Sequence, residues 1–429
     1  MKRARLWACL RRQAAQLIVT ILVFASPVLA QTSWWRTYGG TNDDRGYSVQ
    51  QTSDGGYIIA GRTASFGAGY DDVYLIKTDA SGDTLWTRTY GGTRSDVGYS
   101  VQQTTDGGYV IAGRIESFSG GEFVYLIKTD ASGDTLWTRT YGGGSYDEGY
   151  SVQQTSDDGY IIAGYTRSFG AGGFDVYLIK TNASGDTLWT RTYGGTNDDF
   201  GESVRQTADS GYVIAGRTAS FGAGDFDAYL IRTDASGDTL WTRTYGGTDY
   251  DEGCSVQPTA DGGYIVTGYT GSYGAGEGDV YLVKTNSSGD TLWTRTYGGT
   301  NFDGGCSVQR TSDGGYVIAG RTESFGAGDD DVFLVKTDAN GNVGIEEPST
   351  PQLANSRTAF RVQPNPFSSF AAVPGHETES FILSDVSGRK VAICNGNRIG
   401  KGLPPGVYFL SPVKPVTPYN RLLRIVKGE

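Results

Sequence analysis

The feature that most constrains this chain is an internal repeat of about 52 residues. Each copy carries a Tyr-Gly-Gly motif, with a Trp four residues before the Tyr. The six Tyr residues are Tyr38, Tyr90, Tyr141, Tyr193, Tyr245 and Tyr297. A fixed period of this length is typical of propellers and solenoids, so the copies must be explained together.

Each copy contains four runs that predict β-strands. In the second copy these runs are 85–90, 100–104, 109–114 and 124–129, rich in Val, Ile, Tyr, Thr and Trp and bounded by Gly, Asp and Ser. Four antiparallel strands in about fifty residues predict a propeller blade. The 65 Gly residues suit the many tight turns of such a fold.

The two ends of the repeat region favour a closed ring over a solenoid. The last copy lacks its Trp strand, and an extra Trp strand at 34–38 precedes the first copy. We therefore predict that 34–38 pairs beside 332–337 and completes a sixth blade. Closure would remove the exposed edges of a linear array. The fold class predicted for 31–345 is thus an all-β, six-bladed β-propeller closed by its N-terminal strand.

The repeat resembles a family of bacterial extracellular β-propeller repeats, often labelled SBBP, and more loosely the NHL-type repeats. The resemblance covers about 34–338 and rests on Trp-x-x-x-Tyr-Gly-Gly, an Asp-x-Gly turn and Gly-Tyr-x-x-x-Gly. It implies that Ser-Val-Gln-Gln-Thr is the innermost strand and that the Trp strand is the outermost. It does not imply a ligand.

Residues 1–30 have the pattern of a secretory signal peptide. A basic start is followed by an apolar run at 17–25 and by Val28-Leu29-Ala30. The run is too short to span a bilayer, so we expect a secreted or outer-surface protein without a membrane span. Removing five basic residues takes the net charge from −11 to −16. Such an acidic chain is a poor partner for nucleic acid or anionic membrane.

The C-terminal part has a different texture. A Pro-, Ser- and Asn-rich linker is predicted at 346–357, and four motifs follow it at 364–367, 382–391, 402–410 and 421–427. The series resembles the C-terminal sorting domain of type IX secretion substrates, which implies an Ig-like β-sandwich at 358–429 and the type IX machinery as a partner. A flagellar-hook-capping type of Ig-like domain and a plain accessory sandwich remain open.

One predicted face of the propeller collects the longer loops, which carry function more often than short ones. It holds one carboxylate per copy and one aromatic ring per copy. The carboxylates are Asp44, Asp96, Asp147, Asp199, Asp251 and Asp303. The rings are Phe66, Phe118, Phe169, Phe221, Tyr273 and Phe325. Both sets are candidate ligand-binding residues for a cation such as calcium, an amine or a sugar. The alternative is that each Asp bonds its own turn and each ring fills a gap between blades.

Other repeated residues receive structural interpretations. Asp79-Ala80-Ser81-Gly82-Asp83 and its copies could form a calcium loop, but a hairpin turn explains them better. The basic residues that follow the third strand are expected to face solvent: Lys77, Lys128, Lys180, Arg232, Lys284 and Lys336. Cys254 and Cys306 occupy equivalent places in adjacent copies; two inert thiols are favoured, and a disulfide stays open.

No catalytic constellation is visible. The single His, His376, lies outside the repeats, and the sequence marks no pair of carboxylates as different from the rest. We therefore expect a non-enzymatic binding or adhesion module that recognises an extracellular glycan or protein and needs no cofactor, unless calcium is one. A secreted polysaccharide-active enzyme and a structural spacer are the alternatives.

Overall fold

The computed structural model describes residues 34–118, 120–326, 328, 330–343, 372–373, 380–384, 389–395, 397–399, 403–412 and 423–427. The chain divides into two compact units, Met1–Ile345 and Glu346–Glu429. The predicted signal peptide, the linker and the motif at 364–367 lie outside the described residues. Within those residues, no helix is long and apolar enough to cross a membrane.

The first unit is built from six antiparallel sheets, one per repeat. Its strands are β1 Asp44–Gln51, β2 Tyr57–Thr63, β3 Asp72–Thr78, β4 Thr84–Tyr90, β5 Asp96–Gln103, β6 Tyr109–Glu116, β7 Glu122–Thr129, β8 Thr135–Tyr141, β9 Asp147–Gln154, β10 Tyr160–Thr166, β11 Asp175–Thr181, β12 Thr187–Tyr193, β13 Asp199–Gln206, β14 Tyr212–Thr218, β15 Asp227–Thr233, β16 Thr239–Tyr245, β17 Asp251–Pro258, β18 Tyr264–Thr270, β19 Asp279–Thr285, β20 Thr291–Tyr297, β21 Asp303–Arg310, β22 Tyr316–Thr322 and β23 Asp331–Thr337. Five sheets have four strands in sequential order, and the sixth has three.

Consecutive sheets pack face to face, as blades of a propeller do. The first strands β1, β5, β9, β13, β17 and β21 contact one another in turn, so they are the innermost strands. The second and third strands carry apolar residues on consecutive positions because neighbouring sheets cover both of their faces. In the third sheet, for example, Ile161, Ile162 and Leu178 are fully buried. The repeated, propeller-like, all-β architecture agrees with the sequence prediction.

The predicted closure of the ring is not confirmed. Residues 34–38 form no strand, and they lie against the first sheet, where the Tyr38 hydroxyl donates to the Gly82 carbonyl at 2.7 Å. The sixth sheet keeps a free edge and an uncovered face in the described structure. Val332 is 89% exposed there, whereas Val73, its counterpart in the first sheet, is 1% exposed.

The second unit contains one described antiparallel sheet, in the order β25-β24-β26-β27. Its strands are β24 Ser380–Ser384, β25 Lys390–Asn395, β26 Gly406–Pro412 and β27 Leu423–Lys427. Phe381, Leu383 and Leu410 are buried in its small core. This sheet fits the β-character predicted for 358–429, and the second layer of the predicted sandwich stays a prediction.

Candidate ligand-binding site

The aspartates predicted to form a ligand-binding ring are the first residues of the first strands. Their carboxylates accept hydrogen bonds within the fold. Asp199 is fully buried; it accepts hydrogen bonds from the Gly195 amide at 2.8 Å, the Ser220 hydroxyl at 2.7 Å and the Thr218 hydroxyl. Asp96 has no Thr partner because Ile115 stands at that place, and burial raises the pKa of its carboxyl. These contacts are those of turn-forming residues, and they favour the structural alternative for the ring.

The predicted aromatic residues of the long loops lie at the surface, one on each sheet. Phe66, Phe169, Phe221, Tyr273 and Phe325 are about half exposed, and each packs against the first aromatic residue of its own third strand, as Phe66 does against Tyr74 at 5.7 Å. Phe118 is 82% exposed. Among the described residues no ring contact joins these six side chains to one another, so a ligand-binding role for them stays a prediction.

The expectation that the basic residues after the third strands face solvent is wrong for five of the six; Lys336, on the uncovered sixth sheet, is exposed as expected. Lys77 is 4% exposed, and its ammonium donates to the Asp54 carboxylate and to the Thr78 carbonyl, both at 2.8 Å. The equivalent residues of sheets two to five are buried in the same way: Lys128, Lys180, Arg232 and Lys284. The physical reason is that the ion pair and the carbonyl satisfy the buried charge.

The segment Asp79-Ala80-Ser81-Gly82-Asp83 is a hairpin turn. The Asp79 carboxylate accepts from the amides of Ser81 at 2.8 Å and Asp83 at 2.9 Å, and Gly82 has a φ of 76°. In the part of the chain that the structure describes, no group of three or more His, Cys, Asp or Glu side chains could hold a metal ion.

A different set of residues comes together at the inner end of the sheets. Each first strand contains a β-bulge after its Gly, and the bulged residue has no partner in the register. The six bulged residues are Tyr47, Tyr99, Tyr150, Glu202, Cys254 and Cys306. A Gly on the second strand makes room for each bulge: a Cβ at Gly216 would lie 1.8 Å from the Phe200 carbonyl oxygen. Bulges commonly re-aim side chains next to functional sites.

Three of these bulged residues start a continuous row of aromatic rings, which we call the aromatic arc. The arc consists of Tyr47, Tyr99, Tyr150, Tyr165, Phe174, Phe200, Phe226, Tyr250, Tyr269 and Phe302. Its successive ring centroids are 4.6 to 6.1 Å apart, and the row runs from the first sheet to the loop that enters the sixth. None of the ten rings is fully buried, so the arc presents aromatic surface to solvent.

The arc carries partly buried charges between its rings. Arg217 lies over the ring of Phe200 at 4.2 Å, and one of its terminal nitrogens is 3.0 Å from a carboxylate oxygen of Glu202 and 3.0 Å from one of Glu252. Burial and the neighbouring charge of Glu252 raise the pKa of Glu202 from 4.5 to about 7. The Tyr250 hydroxyl donates to Glu252 at 2.7 Å.

A second charged group lies nearer the start of the arc. Arg114 is paired with Glu122, and its Nε is 3.9 Å from the nearer oxygen of Glu148. Glu148 is 6% exposed, and burial together with its charge raises the pKa of Tyr99, Tyr150 and Tyr165. Nε of Arg114 and Oε2 of Glu148 have no hydrogen-bond partner among the described residues.

The last part of the arc borders a cavity of about 430 Å³ between the fifth and sixth sheets. Its lining includes Tyr250, Glu252, Tyr269, Phe302 and Arg321. The ring of Phe302 is stacked on Tyr269 at 4.6 Å, and the Arg321 guanidinium lies 4.3 Å from the centroid of Phe302. The cavity thus combines aromatic walls with one acidic and one basic side chain.

Cys254 and Cys306 also line this cavity, and both are free thiols in the structure. Burial raises the pKa of both thiols, so neither is a reactive thiolate at neutral pH. The interpretation of inert thiols therefore holds over the disulfide.

Sequence reasoning missed the arc because it weighted the residues that every copy shares. The arc uses positions at which the copies differ. The place of Tyr47 is taken by Tyr, Glu or Cys in the six copies, and the place of Arg62 by Arg or Tyr. These differences were the available signal, but only the bulge and the stacking of sheets bring the positions together.

No known family model matches the sequence. It is similar to the regulatory protein FlaEY of Caulobacter vibrioides, with 24% identity over 288 residues, 58% of this chain and 29% of that protein. The chain therefore spans less than a third of that relative's length.

Among solved structures, a protein of unknown function from Dyadobacter fermentans matches with 13% identity and a TM-score of 0.41, covering 66% of this chain and 92% of that one. PorZ of Porphyromonas gingivalis, a surface component of the type IX secretion system, matches with 11% identity and a TM-score of 0.31, covering 89% and 51%. Likenesses this distant carry no functional argument, so the proposal below rests on this chain's own residues.

Proposed function

We propose that the protein is an exported binding module that recognises an extracellular ligand on its aromatic arc. The observation that carries this proposal is that the residues at which the copies differ converge on one surface, where half-buried rings and unevenly paired charges lie side by side. A pure spacer would gain nothing from such differences, because identical copies would pack equally well. Aromatic rings and arginines are also the side chains enriched at binding hot spots.

Paired carboxylates give the enzymatic alternative one specific point of support. Glu202 and Glu252 contact the same nitrogen of Arg217, and burial raises the pKa of Glu202 to about 7. A carboxyl group with a raised pKa beside a second carboxyl group is the pair that glycoside hydrolysis uses. Release of reducing sugar from a polysaccharide, abolished in both Glu202→Gln and Glu252→Gln, would establish this second candidate; binding without turnover excludes it for that polysaccharide.

We also propose that the ring closes when the sixth sheet takes residues 34–38 as its fourth strand. The interior sheets give the register: Tyr74 lies opposite Thr89 in the first sheet, so Phe333 would lie opposite Thr37. The docked segment already makes the contact expected of a fourth strand, because Tyr38 bonds Gly82 as Tyr90 bonds Gly133, both at 2.7 Å. Closure would cover the apolar face of the sixth sheet.

Cysteine cross-linking tests the closure. A Thr37→Cys, Phe333→Cys variant should form an intramolecular disulfide, identified by peptide mass spectrometry of the monomer. The interior pair Tyr74→Cys, Thr89→Cys is the matched control for this register. If the control pair forms its disulfide but the Thr37→Cys, Phe333→Cys pair forms none, or only an intermolecular one, the result contradicts closure.

Export is part of the proposal and rests on the sequence motifs at both ends. The N-terminal pattern at 1–30 and the C-terminal motifs of 358–429 support secretion through a type IX pathway and a place outside the cell. Fusing residues 346–429 to a periplasmic reporter in a host with this pathway should carry the reporter to the surface or the medium. Retention of the fusion in the periplasm would contradict the sorting role.

The binding proposal is tested with residues 31–429 on arrays of glycans and of purified extracellular proteins. Binding should be lost in a Phe302→Ala, Arg321→Ala variant, because both side chains line the cavity at the end of the arc. It should persist in Tyr70→Ala, which removes an 82% exposed ring that belongs neither to the arc nor to the candidate rings of the long loops. No binding by the unaltered protein, or equal binding by all three, would contradict the proposal and favour a spacer.

A further inference from the structure

We infer that the ligand of the aromatic arc is a linear glycan chain, held over several consecutive sugar units. This inference rests on the proposed function and adds to it the chemical class of the ligand. It follows from three features of the arc: its continuity, a polar site with unused hydrogen-bonding atoms near its start, and a separate cavity near its end.

The continuity of the arc favours a repeating ligand. Its rings belong to successive sheets, and each is one ring-to-ring step of at most 6.1 Å from the next. An aromatic ring offers a flat apolar surface and, in Tyr, a polar edge. A sugar unit has the same mixture, with C–H groups on its faces and hydroxyls around its rim. A row of partly exposed rings therefore suits a row of such units, whereas a compact ligand would use one or two rings.

The first polar site lies between the second and third sheets. Oε2 of Glu148 can only accept a hydrogen bond when ionised, and Nε of Arg114 can only donate one. Both atoms are buried and unused by the described residues, which is costly for polar groups. A hydroxyl group both donates and accepts, so one sugar hydroxyl can satisfy the two atoms at once when it displaces the neighbouring side chains that screen them from solvent.

The second polar site is the cavity between the fifth and sixth sheets. Glu252 can accept from hydroxyls, Arg321 can donate to them, and Tyr269 and Phe302 supply the ring surface. Several rings of the arc, including Phe200 and Phe226, lie between the two polar sites. A ligand that follows the rings from one site to the other must therefore be extended. The first site holds Arg114 with Glu122 and Glu148, and the second holds Arg321 and Glu252, so both signs of charge are present and a neutral polysaccharide fits better than a polyanion.

The experiment uses residues 31–429 in affinity gel electrophoresis with soluble mixed-linkage β-glucan, xylan, galactomannan or dextran cast separately into the gel. Retardation in at least one gel is expected. Calorimetry with oligosaccharides of that polymer should then show affinity rising by about tenfold or more from the disaccharide to the octasaccharide. Because hydrogen bonds to charged groups contribute substantially, Glu148→Gln and Arg321→Gln should each weaken octasaccharide binding by about tenfold.

Chain length separates this inference from simpler ones. The disaccharide can reach only one polar site, so its binding should respond to at most one of the two variants. Tyr70→Ala, at an exposed ring outside the arc, should leave both affinities unchanged. Equal affinity for the disaccharide and the octasaccharide would overturn the extended site. Binding only to proteins on the arrays would overturn the ligand class while leaving the proposed function standing, and no binding to either would remove both.

Discussion

The aspartates that begin the first strands and the bulged residues of the same strands lie three residues apart in every repeat, and the fold uses them in opposite ways. Asp147 is fully buried, and its carboxylate accepts hydrogen bonds from Gly143, Thr166 and Ser168 in its own sheet and adjoining loops. Tyr150 contacts the ring of Tyr99 from the neighbouring sheet and stays partly exposed. The comparison shows that positions shared by all copies build the blade, whereas positions that differ build the surface between blades.

The largest effect should come from removing a shared aspartate. Asp147→Ala leaves the buried Thr166 hydroxyl, the partly buried Ser168 hydroxyl and the Gly143 amide without their shared acceptor. We expect the free energy of unfolding to fall by about 3 kcal/mol, measured by urea denaturation. Tyr47→Ala, at an exposed position of the arc, should change it by less than about 1 kcal/mol. Equal losses would break the distinction between the two sets of positions.

The Glu202 carboxyl, which lies between the rings of the arc, should make the free energy of unfolding depend on pH. The pKa of this carboxyl is about 7 in the fold against 4.5 for an ordinary Glu. Between these values the unfolded chain loses a proton that the folded chain keeps, so the free energy of unfolding falls as pH rises. Glu202→Gln cannot ionise, and its stability relative to the unaltered protein should improve by about 2 kcal/mol from about pH 5 to about pH 8.

A matched variant controls this pH measurement. Glu277→Gln removes a carboxylate from an exposed loop, and its stability relative to the unaltered protein should not drift over the same range. If the stability of Glu202→Gln relative to the unaltered protein also stays constant over this pH range, the Glu202 carboxyl is not held in an environment that disfavours its charge.

A smaller loss of stability is expected from removing a tyrosine hydroxyl that bonds a glycine carbonyl, and it can be compared between the first sheet and an interior sheet. The Tyr193 hydroxyl donates to the Gly237 carbonyl at 2.7 Å and is buried, so Tyr193→Phe should cost about 1 kcal/mol. Tyr38 makes the same bond but is only partly buried in the open arrangement. If the ring closes as proposed, Tyr38→Phe should cost as much as Tyr193→Phe in thermal unfolding. A loss near zero at Tyr38 alone would favour an open first sheet.

The smallest effect concerns calcium. The carboxylates of Asp44 and Asp199 accept hydrogen bonds from amides and hydroxyls of their own loops. We therefore expect the Tm of residues 31–345 to move by less than about 1 °C between added calcium and a chelator. A rise of several degrees with calcium would instead indicate that the shared aspartates bind the metal, and it would contradict their interpretation as turn-forming residues.

The sequence by itself determined the blade. Its period, its four strand-like runs and its hairpin turns follow from local patterns, because strand propensity, alternation and turn residues act over a few positions. The inner place of Ser-Val-Gln-Gln-Thr was implied by the resemblance to known propeller repeats. The structural alternative for Asp199 was also available, since a residue present in every copy is usually one that the copy needs in order to fold.

Only the tertiary structure decided the rest. Lys77 looks like a solvent-facing charge until Asp54, 23 residues away in the chain, is seen to pair with it. Tyr150 and Tyr165 become neighbours through a bulge, and Phe226 and Tyr250 through the stacking of one sheet on the next. Contacts between blades depend on the relative placement of residues about 50 positions apart, which no local pattern encodes. The site of this protein is built from such contacts, and for that reason the sequence specified its blades before it could specify its binding surface.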